Sequence, residues 1–229
     1  MKIPNHLAII MDGNRRWARQ EGKKNVVEGH KSGAQSLEEM VEEVAKLGIK
    51  FFTVYAFSTE NFSRSKEELR ALFDLCVEFA QTKWQKLQDE GIQVKIYGKL
   101  GLFPEYVEKA MIALLERTQI KNPKMVLGLC FGYGGRQEIV EGCREIILSG
   151  QNAESLTEES FEQKLFSAGI PDIDLVIRTG GAQRISNFML WKIAYAELYF
   201  TEKFWPEFKK DDLVAALEEY ESRERRFGK

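Results

Sequence analysis

Four clusters of Asp, Gly, Arg and Ser each follow a short apolar run. Asp12-Gly13-Asn14-Arg15-Arg16-Trp17 follows 6–11, and Ser58-Thr59-Glu60-Asn61-Phe62-Ser63-Arg64 follows 51–57. Gly132-Tyr133-Gly134-Gly135-Arg136 follows 125–131, and Arg178-Thr179-Gly180-Gly181 follows 175–177. Runs of this length read as buried strands. In an open α/β sheet the ligand crevice lies outside the carboxyl ends of the strands. Gly lets backbone N–H groups approach a ligand, and Arg grips phosphate oxygens with two parallel donors. An acid such as Asp12 among several Arg points to a divalent cation beside a polyphosphate.

Each cluster also has a plainer reading. Asp12 can coordinate Mg²⁺ while the amides after it cradle a phosphate, or Asp-Gly-Asn is a turn leading into a helix. The Gly132–Arg136 cluster lacks Gly-Lys-Ser/Thr, and Gln137 stands where a dinucleotide fingerprint needs its third Gly. An anion role and a glycine turn for close strand–helix packing stay equally open there. Arg178, Arg184 and Ser186 lie between a strand and an expected helix, where Ser186 can cap the helix and donate to phosphate. His6 and His30 are the two histidines. A structural hydrogen bond is the default for each, with an anion contact open for His30 beside Gly29.

The elements that must carry these clusters alternate. Helical periodicity covers 31–47, 104–118, 136–148, 157–166, 186–195 and 212–225, and 93–97 and 197–201 read as further strands. A long helix opens at Ser65 with a capping box to Glu68 and runs to about Glu90. Its stripe of Leu69, Leu72, Phe73, Cys76, Phe79, Ala80, Trp84 and Leu87 is either core or the wall of a tunnel for an apolar ligand. Arg223-Glu224-Arg225-Arg226 reads as a solvated helix end. The expected fold is one α/β domain over 1–229, a mainly parallel six-stranded sheet covered by helices, with an apolar tunnel opening at the strand ends.

Composition agrees with one domain. The 229 residues are 44% apolar and 30% charged, with a net charge of −2. No basic tract or nucleic-acid motif occurs, so no nucleic acid is expected as a partner. No apolar run nears the roughly 18 residues of a membrane span. Cys76, Cys130 and Cys143 lack paired spacing and read as buried, reduced thiols of a cytoplasmic protein.

Taken together, the segments resemble the cis-prenyltransferases over His6 to Gly228. The resemblance rests on His6 through Asn14, Gly29-His30 and Tyr55 through Asn61. It continues in Tyr133-Gly134-Gly135-Arg136, in Arg178 through Gly181 with Arg184 through Phe188, and in Ile193 through Thr201. It implies a Mg²⁺-dependent homodimer that adds isopentenyl diphosphate units to an allylic diphosphate such as farnesyl diphosphate, with cis double bonds. The implied product is a long polyprenyl diphosphate such as undecaprenyl diphosphate, the carrier lipid for cell-wall glycan, released with transient contact at a membrane surface. By the same resemblance Asp12 holds Mg²⁺, with Glu197 a second carboxylate reaching across the dimer interface. Gly13, Asn14, Arg15, Arg16, Trp17 and His30 cradle the allylic diphosphate. Arg178, Arg184, Ile185 and Ser186 hold isopentenyl diphosphate, and Ser58, Thr59, Glu60, Asn61, Phe62 and Arg64 lie between the substrates. Asn61 matches the position assigned as proton acceptor. A neutral amide is a very weak base, so it reads better as an orienting group, with released pyrophosphate taking the proton.

The chain departs from the family pattern at Arg15, Val26, Phe62, Ser65, Gly132 and Ala182, where the family usually has Gly, Arg, Trp, Pro, Asn and Glu. Ala182 removes a carboxylate near Arg184, and Arg15 supplies a cation for the one lost at Val26. These changes leave a second reading, a catalytically weak member acting as a partner or regulatory subunit. A third, another phosphate-handling enzyme such as a phosphatase, has no evident nucleophile or general base.

Overall fold

In a computed structural model that describes residues 3–223, six strands form one parallel sheet. They are β1 (His6–Ile10), β2 (Phe51–Ser58), β3 (Ile92–Tyr97), β4 (Met125–Tyr133), β5 (Leu175–Arg178) and β6 (Glu197–Phe200). The order across the sheet is β3-β4-β2-β1-β5-β6. β1, β4 and β5 are buried along their whole length, as strands covered on both faces must be. Alternation divides the faces. Leu7 and Ile9 join the core with Phe52, Val54 and Leu127, whereas Ala8, Ile10 and Val176 face a second cluster with Phe188 and Met189.

The helices are α1 (Asn14–Gln20), α2 (Val27–Lys46), α3 (Lys66–Thr82), α4 (Trp84–Asp89), α5 (Glu105–Arg117), α6 (Gly135–Ser149), α7 (Glu158–Glu162) and α8 (Lys210–Ser222). Apolar faces of α2, α3, α5 and α8 pack on the Leu7/Ile9 side. The connection leaving β1 leads to β2 on one side, and the one leaving β4 crosses to β5 on the other. The topological switch therefore lies between β1 and β5, whose carboxyl ends carry Asp12 and Arg178.

Four local expectations differ from the structure. The segment 186–195 is a series of turns, not a helix. Ser186, Asn187 and Met189 hold left-handed backbone (φ 49°, 65° and 42°), because Phe188 and Met189 are buried and Asn187 docks on the start of α6. The long helix breaks at Lys83, where the Thr82 hydroxyl donates to the Glu78 carbonyl at 2.7 Å and competes with the helical ladder. Cys143 is exposed on α6, while Cys130 is buried. Arg223, at the end of α8, pairs with Glu197 at 3.0 Å rather than standing in solvent, and 224–226 lie outside the described residues.

Candidate active site

Asp12 follows β1 by two residues and is pinned from both directions. Its backbone N–H donates to the Thr179 hydroxyl at 3.0 Å, and that hydroxyl donates to the Asp12 carbonyl at 2.7 Å. Its Oδ2 accepts from Arg178 at 2.9 Å and its Oδ1 from Arg16 at 3.0 Å. Burial alone would raise this carboxyl, but the hydrogen bonds and charges of Arg178 and Arg16 outweigh it and hold the group below its ordinary range.

Arg178 is the buried hub of the cleft. It also donates to the Arg184 carbonyl and to Ser186 Oγ, the latter at 2.7 Å. Its Nε is buried without a protein acceptor. Ser186 thus receives a guanidinium donor and caps no helix. Arg16 donates to the Gly180 carbonyl at 2.6 Å and lies 5.4 Å from the Phe204 ring centre. Gly13 adopts φ 110°, and a Cβ there would sit 2.7 Å from Phe204, so glycine is required. It leads straight into α1, whose first turn carries Asn14, Arg15 and Arg16 and no acid.

The cleft above the strand ends has a volume of about 550 Å³ and gathers Asp12, Ser58, Glu60, Asn61, Arg64, Arg178, Arg184 and Ser186. Met11, Tyr55 and Asn187, which sequence reasoning did not single out, line it as well. Asn187 had a legible signal, since Asn tolerates left-handed backbone better than most residues. Asn61 Oδ1 accepts from the Ser58 N–H at 3.0 Å, so the amide is fixed by its own loop. Glu60 accepts from Asn187 at 3.1 Å, and the Thr59 hydroxyl donates to it.

Beneath the cleft lies a cavity of about 180 Å³ whose walls are mainly apolar, with Leu37, Phe57, Leu72, Leu75, Cys76 and Phe131 among them. Met11, Tyr55, Asn61 and Arg64 border both spaces, so the polar cleft and the apolar cavity adjoin. The α3 stripe is divided between core and cavity lining. Phe73 and Ala80 are core, while Leu72, Cys76 and Phe79 face the cavity. Burial pushes the Cys76 thiol up to about 12, so it stays neutral there.

His30 and Asn14 also border the cavity. His30 lies inside α2 and bonds Glu68 at 3.0 Å instead of standing free for an anion. Glu68 is buried and receives Arg64 at 3.0 Å and Arg15 at 3.8 Å as well. Sequence reasoning assigned Glu68 to a capping box. The Ser65 hydroxyl does accept the Glu68 N–H at 3.3 Å, but the Glu68 carboxylate is spent on His30, Arg64 and Arg15. Burial lowers the His30 pKa, helped by the Arg64 and Arg15 charges and opposed by Glu68, so the ring is neutral at pH 7.

Other expected residues stand apart. Phe62 packs on Phe57 and Phe103 with ring centres 4.9 and 5.2 Å away, so it belongs to the aromatic core. Trp17 is half-buried with Lys23 over its ring. Ile185 lines a shallow pocket with Glu60 and Arg136. Glu197 opens β6 in register with Leu175 and Leu7, at the amino ends of the strands. Within one chain it lies at the opposite end of the sheet from Asp12.

The glycine cluster resolves toward packing. The Gly135 N–H donates to the Asn187 carbonyl and the Arg136 N–H to its Oδ1, each at 2.8 Å, so protein satisfies the amides an anion would need. Gly132, at φ 61°, has Phe103 within 2.8 Å of where a Cβ would stand, and Phe103 stacks on Phe131 at 4.0 Å. Next to Ala182, the carboxylate of Glu202 lies against Gly181, 2.4 Å from the place a Cβ would take.

Comparison with known proteins agrees with this arrangement. A family model described as putative undecaprenyl diphosphate synthase matches residues 10–228. The isoprenyl transferase of Clostridium perfringens (strain 13 / Type A) is 42% identical over 231 residues, 99% of this chain and 90% of the relative. That of Thermotoga maritima is 44% identical over 230 residues, 100% of this chain and 98% of the relative. Lavandulyl diphosphate synthase from Lavandula x intermedia, solved with dimethylallyl diphosphate, superposes with a TM-score of 0.93 at 36% identity, covering 99% of this chain and 98% of that one. A probable undecaprenyl diphosphate synthase from Campylobacter jejuni does so at 0.83 and 30%, covering 100% of both chains. From the strand end that carries Asp12 to the closing helix, this chain belongs to the cis-prenyltransferases, the family of undecaprenyl diphosphate synthase.

Proposed function

We propose that the enzyme condenses isopentenyl diphosphate with an allylic diphosphate, forming a cis double bond and storing the growing tail in the apolar cavity. The observation that carries this reading is that an arginine-lined polar cleft and an apolar cavity share Met11, Tyr55, Asn61 and Arg64 as a common border. A phosphatase needs the first space and has no use for the second.

In this reading the allylic diphosphate lies against Gly13, Asn14 and the Arg15–Arg16 turn, with its chain directed past Asn61 into the cavity. Isopentenyl diphosphate is held by Arg178, Arg184 and Ser186, and the Arg178 Nε without an acceptor supports an anion there. The allylic C–O bond breaks, the double bond of isopentenyl diphosphate forms the new C–C bond, and a proton leaves to the released diphosphate. Asn61, its Oδ1 engaged with the Ser58 amide, orients the reacting carbons between the two anions.

The donor set at Asp12 suits Mg²⁺. Among the described residues no three His, Cys, Asp or Glu side chains form a metal cage. Mg²⁺ is commonly held by one or two carboxylates together with substrate phosphates. Asp12 meets that need, because each of its oxygens retains a lone pair beyond its Arg partner. When bound, the ion neutralises charge developing on the departing diphosphate. A homodimer belongs to the same proposal, since Glu197 can join Asp12 only from a second copy of the chain.

The testing experiment incubates the protein with farnesyl diphosphate, labelled isopentenyl diphosphate and Mg²⁺, then extracts and sizes the products. Label in a prenyl diphosphate supports the reading. Absence of incorporation across a range of allylic primers overturns it in favour of a non-catalytic partner subunit.

A further inference from the structure

Asp12 and Arg178 sit at the ends of neighbouring strands, and each serves a different substrate in the reading above. The β1–β5 ladder pairs Ile10 with Arg178 and stops there. A backbone bond past that rung, from the Thr179 N–H to the Ile10 carbonyl, is long at 3.3 Å. Strand twist carries neighbouring chain ends apart once the ladder is over. The two substrate grips therefore need another tie.

The Thr179 side chain supplies it. Its hydroxyl accepts the Asp12 N–H at 3.0 Å and donates to the Asp12 carbonyl at 2.7 Å. One oxygen thus meets both backbone polar groups of Asp12, as a paired strand would. Thr179 is fully buried and does not line the cleft. Its sequence neighbours act on the same aspartate. Arg178 bonds Asp12 Oδ2 at 2.9 Å, and the Gly180 carbonyl holds Arg16, which reaches Asp12 Oδ1 at 3.0 Å. A Cβ at Gly180 would stand 3.0 Å from the Asp12 carbonyl oxygen, so the two segments lie in close contact. The fold does not depend on the hydroxyl alone. The Asp12 N–H also reaches the Ile10 carbonyl at 2.9 Å, and the Trp205 N–H reaches the Asp12 carbonyl at 3.0 Å.

We propose that Thr179 is a positioning residue for the condensation: its buried hydroxyl fixes the spacing between Asp12 and Arg178, and with it the spacing of the two bound substrates. The inference rests on the condensation reading above. Its consequence is a separation of binding from turnover. Each diphosphate is gripped by its own strand end and binds without reference to the other. Bond formation needs both ends in register, because a misplacement of about 1 Å costs roughly a hundredfold in rate.

The test compares wild type with Thr179→Val, which keeps the shape and loses the hydroxyl, and Thr179→Ser, which keeps the hydroxyl. Thr179→Ala stands in for the Val variant if circular dichroism shows that protein unfolded. Calorimetry measures the binding of farnesyl diphosphate and of isopentenyl diphosphate, each alone with Mg²⁺, and steady-state kinetics measure condensation. The hydroxyl-free variant should lose about tenfold to a hundredfold in kcat, with both Kd values within about threefold of wild type. Thr179→Ser should recover kcat to within about threefold of wild type. A folded hydroxyl-free variant with wild-type kcat overturns the proposal. So does a Ser variant as slow as the Val variant, or a loss of binding as large as the loss of kcat. Failure of both hydroxyl-free proteins to fold overturns it too, since the hydroxyl then serves stability. No incorporation by wild type overturns the condensation reading itself, and this proposal with it.

Discussion

At Asp12 and Glu68, single carboxylates organise several cations, but in different surroundings. Asp12 is a third exposed and keeps lone pairs for a ligand, whereas Glu68 is nearly enclosed by His30, Arg64 and Arg15. Asp12→Ala should lower kcat by about two orders of magnitude or more, the scale of removing a main transition-state stabiliser. Turnover within a factor of a few of wild type at saturating Mg²⁺ would falsify its role. Glu68 touches neither cavity and acts through the residues that do. Glu68→Gln should raise KM for the allylic diphosphate by about tenfold with a smaller change in kcat, and lower stability by about 1–3 kcal/mol, the cost of leaving buried partners poorly paired. Steady-state kinetics and a urea midpoint check both. An unchanged KM with lost stability would reduce Glu68 to a packing residue. The family departures also acquire physical contexts at this scale. Arg15 joins the Glu68 cluster, Gly132 makes room for Phe103, and the Glu202 carboxylate lies in the turn beside Ala182.

Among the elements, the 186–195 segment shows tertiary structure overruling periodicity. Its residues repeat like a helix, yet Asn187 does more for the fold by bonding the Gly135 and Arg136 amides and Glu60. Those bonds hold Ser186 under Arg178 and shape the floor of the cleft. Asn187→Ala loses the side-chain bonds and keeps a left-handed backbone, whereas Asn187→Gly loses the bonds but removes the strain. The Ala variant should therefore be less stable than the Gly variant by about 1 kcal/mol. Thermal melts of the two proteins decide this, and an equal or more stable Ala variant would show that the segment relaxes to another conformation. The break between α3 and α4 is the second such case. A continuous apolar stripe ran through Lys83 in the sequence, but the Thr82 hydroxyl interrupts the helix where a small surface cleft forms.

For the molecule as a whole, both histidines are held neutral by burial, His6 down to about 4 between Pro171 and Thr53. An unfolded chain protonates histidine near pH 6.5, while the folded His6 refuses the proton until about pH 4. Stability is therefore complete above pH 6.5 and declines as pH falls toward 4, by up to about 3 kcal/mol for His6, with His30 adding in the same direction. Asp12 and Glu68 have depressed carboxyls, so their contribution is lost only at lower pH. Urea midpoints between pH 7.5 and 4.5 should fall steadily, and a flat profile over that range would contradict the burial of the two rings.

The order of strands and helices, the clusters at strand ends and the family likeness were all written locally. Periodicity, glycine placement and contiguous motifs depend on neighbours in sequence, so they survive without a structure. Asp12, Asn61, Arg178, Arg184 and Ser186 were found that way, and they do meet in one cleft. What the sequence could not decide was how charges and volumes are shared between distant segments. Glu68 looked like half of a capping box because its side-chain partners come from α1, α2 and the loop after β2. The Gly132–Arg136 turn was ambiguous because its partner, Asn187, lies 51 residues from Arg136. Core and cavity wall share one helical stripe because both demand apolar side chains. Only the packing of α2, α3 and the sheet leaves space beside Leu72, Cys76 and Phe79 while filling it around Phe73 and Ala80. Local propensity records what a residue prefers to touch, and tertiary structure alone decides whether anything is there.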